Sequence, residues 1–247
     1  MATKRKKALF TIVEGESDSF FFYDELQKIC KDEHIVIKAY NGDIFTDLQK
    51  QNTPIRDRVR EFFADRMDNL RVSDFLGILH FTDTDGAFIN DDKIIVDPQQ
   101  DGNLKYDNNG IYVNSIAQQA KIQLRNKLKL EHTSNARKLR NITYKRTEVP
   151  YRLFYLSQNL EHLVFDELNV PNSEKGNRIV GFMKQQTTQN PVETLLRDHF
   201  PGRSYKTNKY NDSWDYIFQD DHSLQRCTNA FLMYDFLQEL LELATKK

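Results

Sequence analysis

The sequence predicts an α/β fold in which a mainly parallel sheet is flanked by helices, followed by a helical C-terminal portion. Through residues 7–90, short apolar runs alternate with segments of helical periodicity, which is the pattern of βαβ units. The apolar runs are continuous rather than alternating with polar residues, as expected for strands that are buried on both faces of a sheet.

The first five elements follow in order along the chain. Residues 8–13, 35–40 and 76–81 are predicted strands, because each is a compact apolar run. Apolar residues recur at helical spacing after Ser17 and again after Pro54, so a helix is predicted between each pair of strands.

The second half of the chain is less regular. Residues 97–110 are rich in turn formers and predict an exposed loop, and a helix is predicted from Ser115 to about residue 129. A late strand is predicted at 151–156, with a helix from about 159 to 168. The last predicted helix, about 223 to 244, is long and strongly amphipathic.

The length of 247 residues suits one large domain or a core with a smaller addition. We predict an α/β core over residues 1–170, with a basic insertion around 104–150, and a helical extension over residues 171–247.

Composition narrows the class of protein. The net charge is −1, so any affinity for nucleic acid must come from a local basic patch. Two cysteines predict neither a disulfide framework nor a zinc site. No apolar run approaches the roughly 20 residues of a membrane span. These features predict a cytoplasmic protein that does not associate with membranes.

Acidic residues follow three of the predicted strands. Glu14 follows the first, Asp83 and Asp85 follow the third, and Glu161 comes shortly after the late strand. Binding sites in open α/β sheets lie beyond the carboxyl ends of parallel strands. Two carboxylates about 5 Å apart repel by roughly 3 kcal/mol at an effective dielectric constant near 20, so a cluster needs a proton or a cation. Oxygen ligands without cysteine favour Mg²⁺ or Mn²⁺.

Two short motifs carry a resemblance to a known family. The segments VEGESD (13–18) and FTDTDG (81–86) resemble the signature of the Toprim domain, a Glu-Gly after the first strand and an Asp-x-Asp after a later one. The resemblance covers roughly residues 7–90. A looser third element, QNLEHLVF (158–165), is similar to a helix-starting segment of related defence proteins. The resemblance implies a Rossmann-like Toprim core.

The resemblance also implies roles for the acids. Glu14 would be a general acid or base, or a metal ligand. Asp83 and Asp85 would be catalytic and would hold Mg²⁺, and Glu161 would be a further metal ligand. The implied activity is metal-dependent hydrolysis of phosphodiester bonds in DNA or RNA.

Two further acids, Glu16 and Asp18, are possible additional site residues. Asp18 falls in the first helical turn, where it could instead only cap the helix. The sequence departs from the topoisomerase branch of the family at Ala87, where that branch has a third aspartate. It also lacks a Pro-Cys-Phe before Glu161.

A basic run over residues 121–152 has two interpretations. It is either a solvated surface or a surface that follows the phosphates of a nucleic acid. The residues predicted to bind nucleic acid are Arg137, Lys138, Arg140, Lys145 and Arg146.

Two histidines near these motifs are given structural interpretations. His80 lies inside a predicted strand and is expected to be buried and hydrogen-bonded. His162 follows Glu161 and is expected on a helix surface, with a role in the site as the alternative.

The resemblance extends to partners. Small stand-alone Toprim proteins, including RloB-like and AriB-like ones, are effectors of bacterial anti-phage systems and commonly work with an ABC-type ATPase. This chain has no Gly-x-x-x-x-Gly-Lys-Ser/Thr motif, so such an ATPase would be a separate protein. A homo-oligomer is possible.

Two alternatives stay open. Asp83-x-Asp85-Gly86 also matches the nucleophile motif of haloacid-dehalogenase-type phosphatases, although there it normally ends the first strand. The other alternative is a non-catalytic Toprim-like module that binds nucleic acid or a partner protein.

Overall fold

The computed structural model describes residues 7–185, 191–201 and 209–245, with the backbone alone for Asp32. It confirms an α/β fold with a mainly parallel sheet, flanking helices and a helical C-terminal region. The strands are β1 (Ala8–Val13), β2 (Val36–Asn41), β3 (Phe75–Asp83), β4 (Ile94–Val96), β5 (Lys105–Asp107), β6 (Gly110–Val113), β7 (Asn141–Tyr144) and β8 (Thr147–Leu156). The α-helices are α1 (Glu16–Cys30), α2 (Ile55–Asp65), α3 (Ile116–Ala136), α4 (Leu160–Phe165), α5 (Asn172–Lys184), α6 (Pro191–Asp198), α7 (Lys209–Ile217) and α8 (Met233–Thr245).

The described residues form two compact units that are interleaved along the chain. The first unit comprises the residues up to Thr82, Asn135–Phe154 and the residues from Leu232 onward. The second comprises Asp83–Ser134 and Tyr155–Phe231.

The main sheet has the strand order β2-β1-β3-β8-β7. β1 is parallel to both β2 and β3, and β7 is antiparallel to β8 at one side of the sheet. The direction of β8 follows from two contacts with β3 and the residue after it: His80 bonds to Tyr151, and the Thr84 amide donates to the Leu156 carbonyl. Residue numbers rise together along β3 and β8, so these strands are also parallel.

Large apolar side chains pack the helices against both faces of the main sheet. On one face, Phe22 of α1 stacks on Phe81 of β3, with ring centroids 3.6 Å apart. Leu240 of α8 lies over Gly77 on that face, where a β-carbon would come within 2.6 Å of a Leu240 methyl group. On the other face, Phe63 of α2 packs edge-on against Phe10 at 5.0 Å. Continuous burial of β1 on both faces explains why its sequence has no polar alternation.

The second unit contains a smaller sheet in the order β4-β6-β5. β6 is parallel to β4 and antiparallel to β5. Its core is aliphatic and includes Ile94, Ile111 and Val113 from the strands, with Ile122 from α3 and Leu224. Helices α4 to α7 belong to the same unit.

Most predicted elements in the first 90 residues are confirmed, whereas three in the rest of the chain are corrected. The segment 97–110 is not only a loop, because it contains β5 and the first residue of β6. The helix predicted to end near residue 129 runs seven residues further. The last helix begins at Met233, ten residues after the predicted start, and the residues before it include short 3₁₀ turns.

Within the described part of the chain, no helix is both long enough and apolar enough to span a membrane.

Candidate functional site

Glu14 lies directly after β1, in the first unit, and its side chain is half-buried. The hydroxyl of Thr82 donates a hydrogen bond to Oε1 of Glu14. Thr82 lies on β3, and the register of the two parallel strands, with Ile12 opposite His80, brings it beside Glu14. The carboxylate therefore has a fixed position at the carboxyl edge of the sheet.

Gly15 and Asp18 form the start of α1. Gly15 is the N-cap residue, and its amide donates to Oδ2 of Asp18 at 2.8 Å. Asp18 is nearly fully buried. The carboxylate of Asp18 therefore caps the helix, as the structural alternative for this residue expects. Glu16, the other additional candidate, is exposed in the first turn of α1.

Asp83 is the last residue of β3 and is half-buried. Because β1 and β3 are adjacent and parallel, Glu14 and Asp83 follow the same ends of neighbouring strands. The expected position of both residues at the carboxyl ends of parallel strands is found.

Asp85 lies in a tight turn of the second unit. Asp85 and Gly86 both have left-handed backbones, with φ angles of 50° and 63°. A side chain at Gly86 would be strained by this φ angle and would also meet Leu224. The Asp85 amide donates to the Gln158 carbonyl at 2.9 Å, which ties the turn to the segment that follows β8.

The carboxylate of Asp85 is paired with a lysine. Nζ of Lys129, on α3, lies 2.5 Å from Oδ2 of Asp85, and the Lys129 side chain is fully buried. Arg125, one turn earlier on α3, donates to the Asp85 carbonyl at 2.8 Å. Burial alone would raise the pKa of Asp85, but the charges of Lys129 and Arg125 outweigh it and hold the pKa below its usual range.

Glu161 also has a lysine partner within the second unit. The side chain of Asn159 caps α4 by accepting from the His162 amide at 2.9 Å, and Glu161 lies in the first turn of that helix. Its carboxylate is buried and lies 3.1 Å from Nζ of Lys175 on α5. The Lys175 ammonium supplies the opposite charge that a buried carboxylate needs.

These ion pairs bear on the predicted metal ligands. Asp85 and Glu161 are each paired with an ammonium group, Lys129 and Lys175 respectively. Throughout residues 7–185, 191–201 and 209–245, no group of three or more His, Cys, Asp and Glu side chains is arranged to hold a metal ion. Carboxylate oxygens such as those of Glu14 and Asp83 are the ligand type that Mg²⁺ prefers.

The five predicted nucleic-acid-binding residues lie in the first unit. Arg137 is half-buried, and the other four are exposed. Lys145 and Arg146 form the turn of the β7–β8 hairpin, with φ angles of 46° and 65°. Because this turn precedes β8, it lies at the amino-terminal edge of the sheet, opposite the edge where Glu14 lies. Arg140 directly precedes β7, and its carbonyl accepts from the amide of Tyr151 on β8.

The expectations for the two histidines had different outcomes. His80 is buried, bonds through Nδ1 to the Tyr151 hydroxyl at 2.8 Å and stacks on Phe45, so its structural interpretation is confirmed. The placement of His162 on a helix surface was wrong, because this side chain is buried. Burial lowers the pKa of His162 to about 4, so the imidazole is neutral at pH 7.

Lys129 and Lys175 are the residues that sequence reasoning did not connect with the acidic motifs. A signal for Lys129 was present: Ile122, Lys129 and Ala136 recur every seven residues, and all three are buried on α3. The helical period thus placed a lysine on the buried face of a helix, where it requires a compensating charge.

Comparison with protein-family models, with curated proteins and with solved structures gives no match to this chain.

Proposed function

We propose that this protein hydrolyses phosphodiester bonds in DNA or RNA and that it requires Mg²⁺ or Mn²⁺. The observation that carries the proposal is the order of the two acidic motifs, with Glu14 after β1 and Asp83 at the end of β3, on adjacent parallel strands. The resemblance of these motifs to the Toprim signature supports the same activity.

The proposed roles differ among the acids. Glu14 and Asp83 would hold the metal ion, which would polarise the scissile phosphate and activate water. Glu14 would also move a proton, with the Thr82 hydroxyl orienting its carboxylate. Asp85 and Glu161 are assigned no metal in this proposal, because Lys129 and Lys175 neutralise them.

The proposal extends to biological context. We propose that the protein is the cytoplasmic effector of a bacterial anti-phage system, that it acts with a separate ABC-type ATPase and that it can self-associate. The support for these partners is the family resemblance alone. Co-purification with the ATPase and light scattering would test the two associations.

Activity assays with matched variants test the proposed chemistry. Purified protein, with its partner ATPase if one is required, is expected to cut single-stranded or duplex DNA or RNA with Mg²⁺ or Mn²⁺ and to be inactive with EDTA. Glu14→Gln and Asp83→Asn should each reduce cutting by at least about 100-fold. Each removes a charge with little change of volume. Glu33→Gln and Asp92→Asn are the controls. Each changes an exposed acid, one in each of the two units, and should leave activity unchanged.

Three results would contradict the proposed nuclease activity. Full activity of Glu14→Gln, or cutting that persists in EDTA, would exclude the proposed site. Trapping of a phosphoryl group on Asp83 would instead identify the phosphatase alternative.

One observation favours a second candidate function. The ion pairs of Asp85 and Glu161 leave fewer acids for catalysis than the motifs predict, which favours a non-catalytic module that binds nucleic acid or a partner. Binding of nucleic acid without any cutting, by wild type and Glu14→Gln alike, would identify that function.

A further inference from the structure

A cavity opens beside the start of α1 in the first unit. Its volume is about 290 Å³, and its lining consists of Glu16, Ser19, Phe20, Tyr23 and Asn41. Small-molecule pockets have volumes of roughly 300–1,000 Å³, so this cavity suits a single ring system rather than a long chain.

Two exposed aromatic rings line this cavity. The run Phe20-Phe21-Phe22-Tyr23 cannot be buried as a whole, because four successive residues point around the helix. Phe21 and Phe22 are fully buried, whereas Phe20 and Tyr23 are 58% and 44% exposed. A single exposed aromatic residue is ordinary, but two that line one concave space provide aromatic rings on which a planar ligand can stack.

The polar residues of the cavity define the ligand further. Glu16 contributes a carboxylate, which repels phosphate and accepts hydrogen bonds from amino groups. Asn41 contributes an amide, which both donates and accepts. A planar ring with an amino group on its edge therefore fits this lining better than a phosphate does.

The cavity lies at the same edge of the sheet as Glu14. Asn41 is the last residue of β2 and is paired in register with Val13, the last residue of β1. The Gly42 amide donates to the Val13 carbonyl at 2.9 Å, which holds the two strand ends together. Glu16 is two residues beyond Glu14, so a group held in the cavity would be next to the proposed reaction site.

We propose that this cavity binds one unpaired nucleobase of a single-stranded nucleic acid. The base would stack on Phe20 or Tyr23, and its amino-bearing edge would bond to Glu16 and Asn41. The inference rests on the proposed function, because it takes a nucleic acid as the substrate and assigns it a single-stranded form. Adenine, cytosine and guanine carry such an amino group, whereas thymine and uracil do not, so the first three would be preferred.

Binding measured in EDTA tests the inference without any hydrolysis. Fluorescence anisotropy would follow labelled oligo(dA), oligo(dT) and a duplex on the full chain. Phe20→Leu and Tyr23→Leu keep apolar bulk but remove the ring. Each should weaken oligo(dA) binding by about 5- to 100-fold and leave duplex binding unchanged. Leu48→Ala, at another exposed apolar residue of the same unit, is the control and should bind like wild type.

A second variant tests recognition of the base edge. Glu16→Met removes the carboxylate acceptor and keeps the side chain length. It should remove the preference for oligo(dA) over oligo(dT), whereas Glu33→Gln should retain it. Adenosine monophosphate, added as a competitor, distinguishes a site for free nucleotides from a site for a base within a polynucleotide. It should compete far more weakly than the oligonucleotide.

The outcomes separate this inference from the proposed function. Unchanged oligo(dA) binding by both Phe20→Leu and Tyr23→Leu would overturn the inference, as would equally tight binding of adenosine monophosphate. In those cases a loss of cutting by Glu14→Gln would still support the nuclease. Conversely, a loss of binding by the leucine variants, together with full cutting by Glu14→Gln, would support the base site and contradict the proposed chemistry.

Discussion

Lys129 carries an ammonium group into the interior of the second unit, at 2.5 Å from the carboxylate of Asp85. A buried ion pair gives little net stability over an apolar pair, but removing one partner leaves an uncompensated charge. The pair therefore links the Asp83-Thr84-Asp85-Gly86 turn to α3 electrostatically. Mutating Asp85 and Lys129 one at a time should change the stability of the protein by different amounts.

We expect Asp85→Asn to lower the free energy of unfolding by about 3 kcal/mol, because it removes the carboxylate charge that lies 2.5 Å from the buried Lys129 ammonium. Lys129→Met should be less harmful, because Asp85 is partly exposed and can be hydrated. The double variant should be more stable than Asp85→Asn alone. Urea denaturation of the four proteins gives the coupling energy.

The pH dependence of the same variants checks the assignment. The folded pKa of Asp85 lies below its unfolded value of about 3.9. Its contribution to stability is therefore present above pH 4 and is lost as the pH falls through the lower folded pKa. Asp85→Asn should lose stability less steeply than wild type in this acid range. Equal stability of wild type and Asp85→Asn at pH 7 would show that the ion pair is not formed.

The sequence could predict where the acids fall along the chain but not what neutralises them. Glu14 and Asp83 follow strands whose apolar runs are unmistakable, so their positions could be predicted. Asp85 meets Lys129 across 44 residues of chain, and Glu161 meets Lys175 on a different helix. Such pairings depend on tertiary packing, which periodicity does not encode.

At the scale of elements, strands buried on both faces were the most predictable. β1 is buried at every residue, and its continuous apolar run could not be mistaken for an alternating strand. β5 and β7 are three and four residues long and are partly exposed. Their sequences are polar and resemble loops, so they are defined by pairing with a neighbouring strand rather than by composition.

The packing of α8 on β3 gives a prediction at this scale. A β-carbon at residue 77 would come within 2.6 Å of Leu240, which is buried. Gly77→Ala should therefore destabilise the protein by about 1–3 kcal/mol through overpacking. Leu240→Ala in the same background should cost less than it does alone, because the new methyl group fills part of the space.

Gly181→Ala provides the matched control. Gly181 lies inside α5, and a β-carbon there would meet nothing within 4 Å. The alanine should stabilise the helix by about 1 kcal/mol. Thermal unfolding of the variants would measure the loss of stability in Gly77→Ala and the gain in Gly181→Ala. A Gly77→Ala protein as stable as wild type would show that α8 does not pack closely on β3.

At the scale of the whole molecule, the charge distribution matters more than the total. The net charge is −1, so no long-range field attracts nucleic acid to the chain as a whole. The exposed basic residues of the first unit that were predicted to bind nucleic acid fall into two pairs: Lys138 and Arg140 before β7, and Lys145 and Arg146 in the hairpin turn. Of the two pairs, only Lys145 and Arg146 are known to lie at the edge of the sheet opposite Glu14. Comparing variants of the two pairs therefore tests on which part of the surface the nucleic acid binds.

We expect the pair before β7 to contribute more to nucleic-acid binding than the pair in the turn. Lys138→Ala/Arg140→Ala should weaken binding of all sequences. It should also reduce the slope of log affinity against log salt by about 0.7–0.9 for each phosphate that the protein no longer neutralises. Lys145→Asn/Arg146→Gly removes the same charge and also suits the positive φ angles of the turn, so it should have a smaller effect on binding and should not destabilise the fold. Anisotropy titrations between low and high salt would measure both slopes.

A larger loss of affinity in the turn variant would place the nucleic acid along the amino-terminal edge of the sheet, away from Glu14, and would contradict the proposed site. If both variants kept the slope of the wild-type protein, these basic residues would be an ordinary solvated surface.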